Sequence, residues 1–220
     1  MKIVEIATLI DAGRFTGTPV WRRISTDVKQ AIDAIRWPPD ASNFTIFPES
    51  GKKRGMGNGV KPIKEAFVLH LVSLGWKPEQ RYPRGDDVER KYWPGAFDAW
   101  LDLTERSLPP FVVEWETGNI SSSHRALNKM ALALMARHLS GGILVLPTRS
   151  LYKFLTDRVG NYHELEPYFP LWRSLKVRVG YLGVIAVEHD ATSPKVPRIK
   201  KGTDGWALIK KGRVQPRRIS

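Results

Sequence analysis

The stretch Phe111-Val112-Val113-Glu114-Trp115-Glu116 is a short apolar run that carries two carboxylates. In an extended strand, residues i and i+2 point to the same side, so Glu114 and Glu116 share one face and Trp115 takes the other. Two like charges that near each other repel by about 4 kcal/mol at an effective dielectric of about 20. A chain keeps such a pair when it is solvated, shares a proton or holds a cation. Pro109-Pro110 precede the run, and a polar turn from Thr117 to Arg125 leads out of it into a helix.

Outward from that strand the periodicities alternate. Residues 121–139 set Leu127, Met130, Ala131, Leu134, Met135 and Leu139 on one broad apolar face, with Ser121 or Ser122 available as a cap and Gly141-Gly142 as the stop. Ile143-Leu144-Val145-Leu146-Pro147 reads as a buried strand, a helix is expected through Leu155, and Tyr181 to Val187 reads as another buried strand. Upstream, residues 25–36 space Val28, Ala31, Ile32 and Ile35 as an amphipathic helix with Ser25 or Thr26 at its start, and Trp37-Pro38-Pro39 stops it. Phe44 to Phe47 is a short strand candidate, and the Gly- and Lys-rich loop 51–59 follows. A helix opening at Lys61-Pro62 runs to about Leu74, with the proline suited to a first turn and Gly75 as terminator. Strands alternating with helices predict an α/β fold whose central sheet is at least partly parallel.

The 220 residues suffice for one large domain with a real core, and no low-complexity linker argues for a second. The formal charge is +13, so a polyanionic partner is expected. Residues 195–220 hold nine Lys/Arg and one acid, Asp204, and so carry +8 as a basic C-terminal arm. Such a tail is a solvated appendage as readily as a nucleic-acid contact. With no cysteine, disulfides and thiolate zinc sites are excluded. The run Ile3 to Ile10 contains Glu5 and is soon followed by Asp11 and Arg14. It is too short and too charged for a signal peptide or membrane span, so a cytoplasmic protein is expected.

Phosphodiester hydrolysis needs an activated water, neutralised nonbridging oxygens and a stabilised leaving oxygen. Hard divalent cations supply these and prefer oxygen ligands such as Asp98 and Glu114. Glu116 beside them suits orientation or deprotonation of the water, or further ligation. On the residues alone, a solvated surface pair and a Mg²⁺ site both remain open. Asp157-Arg158 reads equally as a local surface ion pair, Lys64 as a solvated helix terminus, and His124 as a packing residue.

Several longer blocks are more specific. They are Glu116-Thr117-Gly118-Asn119-Ile120-Ser121-Ser122-Ser123-His124-Arg125 with Asn128-Lys129, Leu155-Thr156-Asp157-Arg158-Val159 with Asn161, and Glu164-Leu165-Glu166-Pro167-Tyr168-Phe169. Shorter ones are Asn58-Gly59-Val60, Pro62-Ile63-Lys64-Glu65, the Pro94-to-Asp98 turn and Pro197 to Gly205. With these, the chain from Asn58 onward resembles the BamHI family of type II restriction endonucleases, while residues 1–40 match weakly.

The resemblance implies a restriction-endonuclease-like fold of the PD-(D/E)xK type, a central mixed sheet flanked by helices on both sides. It implies a homodimer that cuts double-stranded DNA at a palindromic hexamer, GGATCC, with Mg²⁺. A methyltransferase is expected in the same cell, without direct contact. Asp98 and Glu114 fall on the family's metal ligands, although their spacing is one residue shorter than the family pattern. Glu116 stands where most related nucleases carry Lys, which suits it to water activation. Glu79 is the nearest candidate for the family's further active-site acid.

For DNA reading, Arg125 and Arg158 each suit the two acceptors of guanine, Asp157 the cytosine amino group and Asn119 adenine. Ser121, Lys64 and, in the C-terminal arm, Gly202 complete the expected contacts, the arm entering the minor groove. The 121–139 helix is expected at the dimer interface. A nuclease of altered specificity and a non-catalytic DNA-binding protein are the alternatives.

Overall fold

The computed structural model describes residues 1–51, 56–81, 95–156 and 159–201. The expected base readers Asp157 and Arg158, Gly202 with the rest of the arm beyond Lys201, and residues 52–55 of the Gly- and Lys-rich loop lie outside them.

In chain order the elements are β1 (Lys2–Ala12), α1 (Pro19–Asp33), β2 (Thr45–Ile46), α2 (Lys61–Ser73), β3 (Lys77–Arg81), β4 (Ala96–Leu101) and β5 (Phe111–Trp115). There follow α3 (Ile120–Met135), β6 (Gly141–Pro147), α4 (Arg149–Tyr152), α5 (Tyr162–Leu165), α6 (Phe169–Arg173), β7 (Gly180–Glu188) and β8 (Ala191–Thr192). Six strands form one mixed sheet in the order β1-β7-β6-β5-β4-β3, and β2 pairs with β8 separately. The centre, β5-β6-β7, is parallel, while β1, β4 and β3 join antiparallel. Parallel neighbours need crossovers, and α3 provides the one from β5 to β6.

Helices cover both faces, as the mixed-sheet expectation requires. Phe111, Val113 and Trp115 face the layer of α1 and α2, where Ile24, Ile32, Phe67 and Leu71 are buried. Val112, Leu144, Leu146 and Val184 face α3, α5 and α6, against Leu127, Met130, Leu165 and Trp172. Strands buried on both faces carry continuous apolar runs, which is how β6 and β7 read. The next positions on the α3-side face of β5 after Val112 are Glu114 and Glu116. The alternation that builds the core therefore delivers both carboxylates beneath α3.

Several boundaries differ from the sequence expectation. α1 begins at Pro19, capped by the Thr18 side chain accepting from the Trp21 amide, because Ile24 and Val20 extend the buried face one and two turns back from Val28. The cap of α3 is Asn119, which accepts from the Ser122 amide, rather than Ser121 or Ser122. This helix ends at Met135, with Arg137 turning in the left-handed region at φ 59. Leu139 is buried beyond the helix, and Gly141-Gly142 start β6 instead of stopping α3. The helix expected through Leu155 is the four-residue α4. Among the described residues, no helix is long and apolar enough to cross a membrane.

Candidate active site

Asp98, Glu114 and Glu116 line one open cleft of about 570 Å³ with Lys64, Gly118, Ser122, Arg125 and Lys129. A larger hollow of about 650 Å³, around Val4, Tyr152, Lys153 and Glu188, contains none of the expected catalytic acids. Asp98 comes from β4, where its Oδ2 accepts from the Trp115 main-chain N–H at 2.8 Å. This bond continues the β4–β5 pairing beyond its last ladder pair, Ala99 with Val113, and locks Asp98 beside the strand that carries the two glutamates.

Each acid has a partner in the protein. Lys64 Nζ lies 2.5 Å from Asp98 Oδ1. Lys129, buried on α3, forms an ion pair with Glu114, donates to the Ala96 carbonyl and sits 4.6 Å from the Phe97 ring centre. Glu116 accepts from the Gly118 amide at 2.5 Å through Oε1 and from the Ser123 hydroxyl at 2.8 Å through Oε2. Burial pushes the Glu114 carboxyl up to about 7, the Asp98 charge adding to the rise and Lys129 opposing it. Burial also raises Glu116, against the hydrogen bonds from Ser123 and Gly118 that favour its charged form.

The sequence places Asp98 and Glu114 as expected metal ligands with Glu116 beside them. They share a cleft, but among the described residues no three acids or histidines lie close enough together to hold an ion. Two ammonium groups, of Lys64 and Lys129, pair with Asp98 and Glu114. Hard carboxylate oxygens paired with small cations in an open polar cleft are a donor set that fits Mg²⁺.

The remaining expected residues are placed as follows. Lys64 points to Asp98 and is not a solvated helix terminus. Glu79 is exposed on β3 at φ 46. Its register position is opposite Asp98, between the pairs Pro78–Ala99 and Gln80–Phe97, yet it is not among the cleft-lining residues. Arg125 is exposed at the cleft, Ser121 is exposed in the first turn of α3, and Asn119 is exposed with its side chain engaged as the cap. His124 packs edge-on against Tyr168 at 4.5 Å, as a packing residue should. Sequence reasoning gave no role to Ser123 or Lys129. For Lys129 a signal existed: it lies one turn beyond Arg125, so the two share a helix face.

The restriction endonuclease BamHI family model matches residues 1–206. The chain belongs to the BamHI restriction endonuclease family. The match takes in residues 1–40, so the family likeness extends further toward the N-terminus than the motif blocks alone indicated. The type II restriction enzyme OkrAI of Oceanobacter kriegii is 43% identical over 208 residues, covering 94% of this chain and 100% of that protein. The type II restriction enzyme BamHI of Bacillus amyloliquefaciens is 35% identical over 184 residues, 82% of this chain and 81% of its own. Among solved structures, restriction endonuclease BglII complexed with a DNA 16-mer superposes with a TM-score of 0.58 at 12% identity, covering 86% of this chain and 79% of that one. At that identity the likeness concerns the fold, and it agrees with the restriction-endonuclease-like architecture expected of a BamHI family member.

Proposed function

We propose that this BamHI family member is a Mg²⁺-dependent type II restriction endonuclease that acts as a homodimer on double-stranded DNA, at the palindrome GGATCC. The observation that carries the reading is the placement of Asp98, Glu114 and Glu116 in one solvent-open cleft, bordered by Arg125 in the second turn of α3.

Asp98 and Glu114 would hold the ion, which when bound supplies charge neutralisation at the scissile phosphate and acidifies water. Lys64 and Lys129 stay beside the cleft and add positive charge where the phosphate enters. Glu116, fixed by Gly118 and Ser123, keeps lone pairs toward the cleft and accepts the proton of the attacking water. Water oxygen bonds to phosphorus while one ester P–O bond breaks, and the leaving oxygen takes up a proton from solvent. Glu79, opposite Asp98 in register, is the proposed further acid of the site.

Arg125 at the cleft, Asn119 and Ser121 at the start of α3, with Asp157, Arg158, Lys64 and Gly202, are the proposed DNA contacts. Dimerisation is supported by exposed apolar side chains on one side of the molecule: Leu132 and Met135 on α3, Tyr168 before α6 and Leu171 on it. Contacts of His124 with Tyr168 and Trp172 hold these helices together. A two-fold protein matches a two-fold site.

The test is plasmid digestion with purified protein and Mg²⁺, followed by sequencing of the cut ends. Discrete fragments ending within GGATCC support the reading. Ends at another hexamer retain the nuclease and overturn the site, and an intact plasmid across a range of Mg²⁺ overturns the activity.

A further inference from the structure

Asn58 is fully buried, and each of its polar groups is used. Its Nδ2 donates to the Phe47 carbonyl at 2.8 Å and the Phe154 carbonyl at 3.0 Å. Its Oδ1 accepts from the Ile199 amide at 3.1 Å. The main-chain N–H donates to Phe154 at 2.7 Å, and the main-chain carbonyl accepts from Thr156 at 2.9 Å. One residue thus joins three segments far apart in sequence: the loop after β2, the segment 154–156 and the stretch 197–199.

The neighbourhood strengthens the same knot. Glu49 accepts from the Gly57 amide and from Arg198, each at 2.7 Å. Gly59 donates to the Ile199 carbonyl at 2.9 Å, and Trp37 Nε1 to the Pro197 carbonyl at 2.6 Å. The backbones approach so closely that a Cβ on Gly51 would fall 1.6 Å from the Leu155 oxygen, and one on Gly59 would fall 2.2 Å from the Lys200 oxygen. Only glycine permits that approach.

Thr156 immediately precedes Asp157-Arg158, and Lys201 immediately precedes Gly202. The knot therefore holds Thr156 directly, and Ile199 two residues before Lys201, at the approaches to two proposed DNA-contacting segments, although it lies outside the cleft. We infer that Asn58 is a specificity-determining positioning residue, one buried amide that ties residues 154–156 to residues 197–199, the two stretches from which the chain runs on to the proposed base readers Asp157-Arg158 and to the C-terminal arm. The inference rests on the proposed DNA-contact role of those two segments. A carboxylate at this position would face two carbonyl oxygens without a donor, and an aliphatic side chain would leave the Ile199 amide without its acceptor and take one donor each from the Phe47 and Phe154 carbonyls, so the amide suits all three partners.

The experiment compares kcat/KM on the cleaved hexamer with kcat/KM on hexamers changed at one base pair. It uses the full-length protein carrying Asn58→Ser, Arg198→Met or Arg158→Ala, each checked for folding by circular dichroism. A residue with only a structural role lowers activity on all sequences equally and leaves the ratio unmoved. Asn58→Ser is expected to lower the ratio at least tenfold, with the single-turnover rate on bound cognate DNA within threefold. Arg198→Met, at the exposed rim of the knot, is expected to lower it less and decides the matter if Asn58→Ser does not fold. Unchanged ratios for the folded knot variants, while Arg158→Ala collapses the ratio, would overturn the inference and leave the reading of the base contacts intact. Unchanged ratios in all three would overturn both.

Discussion

The Ser123 hydroxyl donates to Glu116 Oε2 at 2.8 Å across the turn that joins β5 to α3. Ser123 is fully buried, and Arg125, two residues on, is exposed at the cleft. One helical turn therefore both orients the proposed general base and presents a proposed base reader. A wrong base that displaces the start of α3 would displace Glu116 with it.

Ser123→Ala should slow single-turnover cleavage by roughly 10–100-fold, the usual effect of removing a group that orients an active-site ligand. Binding to cognate DNA in Ca²⁺ should stay within about threefold. Glu116→Ala should retain binding too but lose at least roughly 100-fold in rate, as general-base removal does. Quench-flow on preformed complexes measures both, and a Ser123→Ala rate equal to the parent's would refute the orienting role.

Lys129 and Glu114 form a buried ion pair. Removing one partner of such a pair costs roughly 3–5 kcal/mol. Lys129→Met should lose about that much in urea unfolding of the metal-free protein, and adding Glu114→Gln should restore part of it. If the two losses simply add, the pair is not coupled.

The Glu114 carboxyl titrates at about 7 in the folded protein against an ordinary 4.5. Between those values the folded state binds more protons than the unfolded state, so stability falls as pH rises through this window. Gln at this position mimics the protonated acid. The melting temperature of Glu114→Gln minus that of the parent, both free of metal, should therefore be larger at pH 8 than at pH 5. An equal difference at both values would show that Glu114 titrates normally.

Leu132 and Leu171 are 58% and 61% exposed on the face proposed for dimerisation. Replacing both with Asp should halve the mass measured by light scattering and convert double-strand cutting into slow nicking. A dimeric mass for the double variant would place the interface elsewhere.

Much of the fold was legible because it rests on local periodicity. The alternation in Phe111–Trp115 set which residues enter the core and which reach the cleft. The apolar runs of β6 and β7 announced strands buried on both faces. Boundaries were less legible. Asn119 and the Ser residues after it are all good caps, and only the direction in which the chain leaves β5 selects Asn119. Arg137 stops α3 in a left-handed conformation where the sequence offered a glycine pair four residues on.

By itself, the sequence determined the α/β class, the common face of Glu114 and Glu116, the family and the basic character of the chain. These follow from backbone geometry repeated every two or 3.6 residues and from residue identity. Tertiary structure alone decided that Lys129 meets Glu114, that Ser123 meets Glu116, that Lys64 meets Asp98 and that Asn58 ties three segments together. Those contacts depend on how α3 seats over β5 and on the packing of segments up to 141 residues apart, and no local pattern encodes such long-range placement.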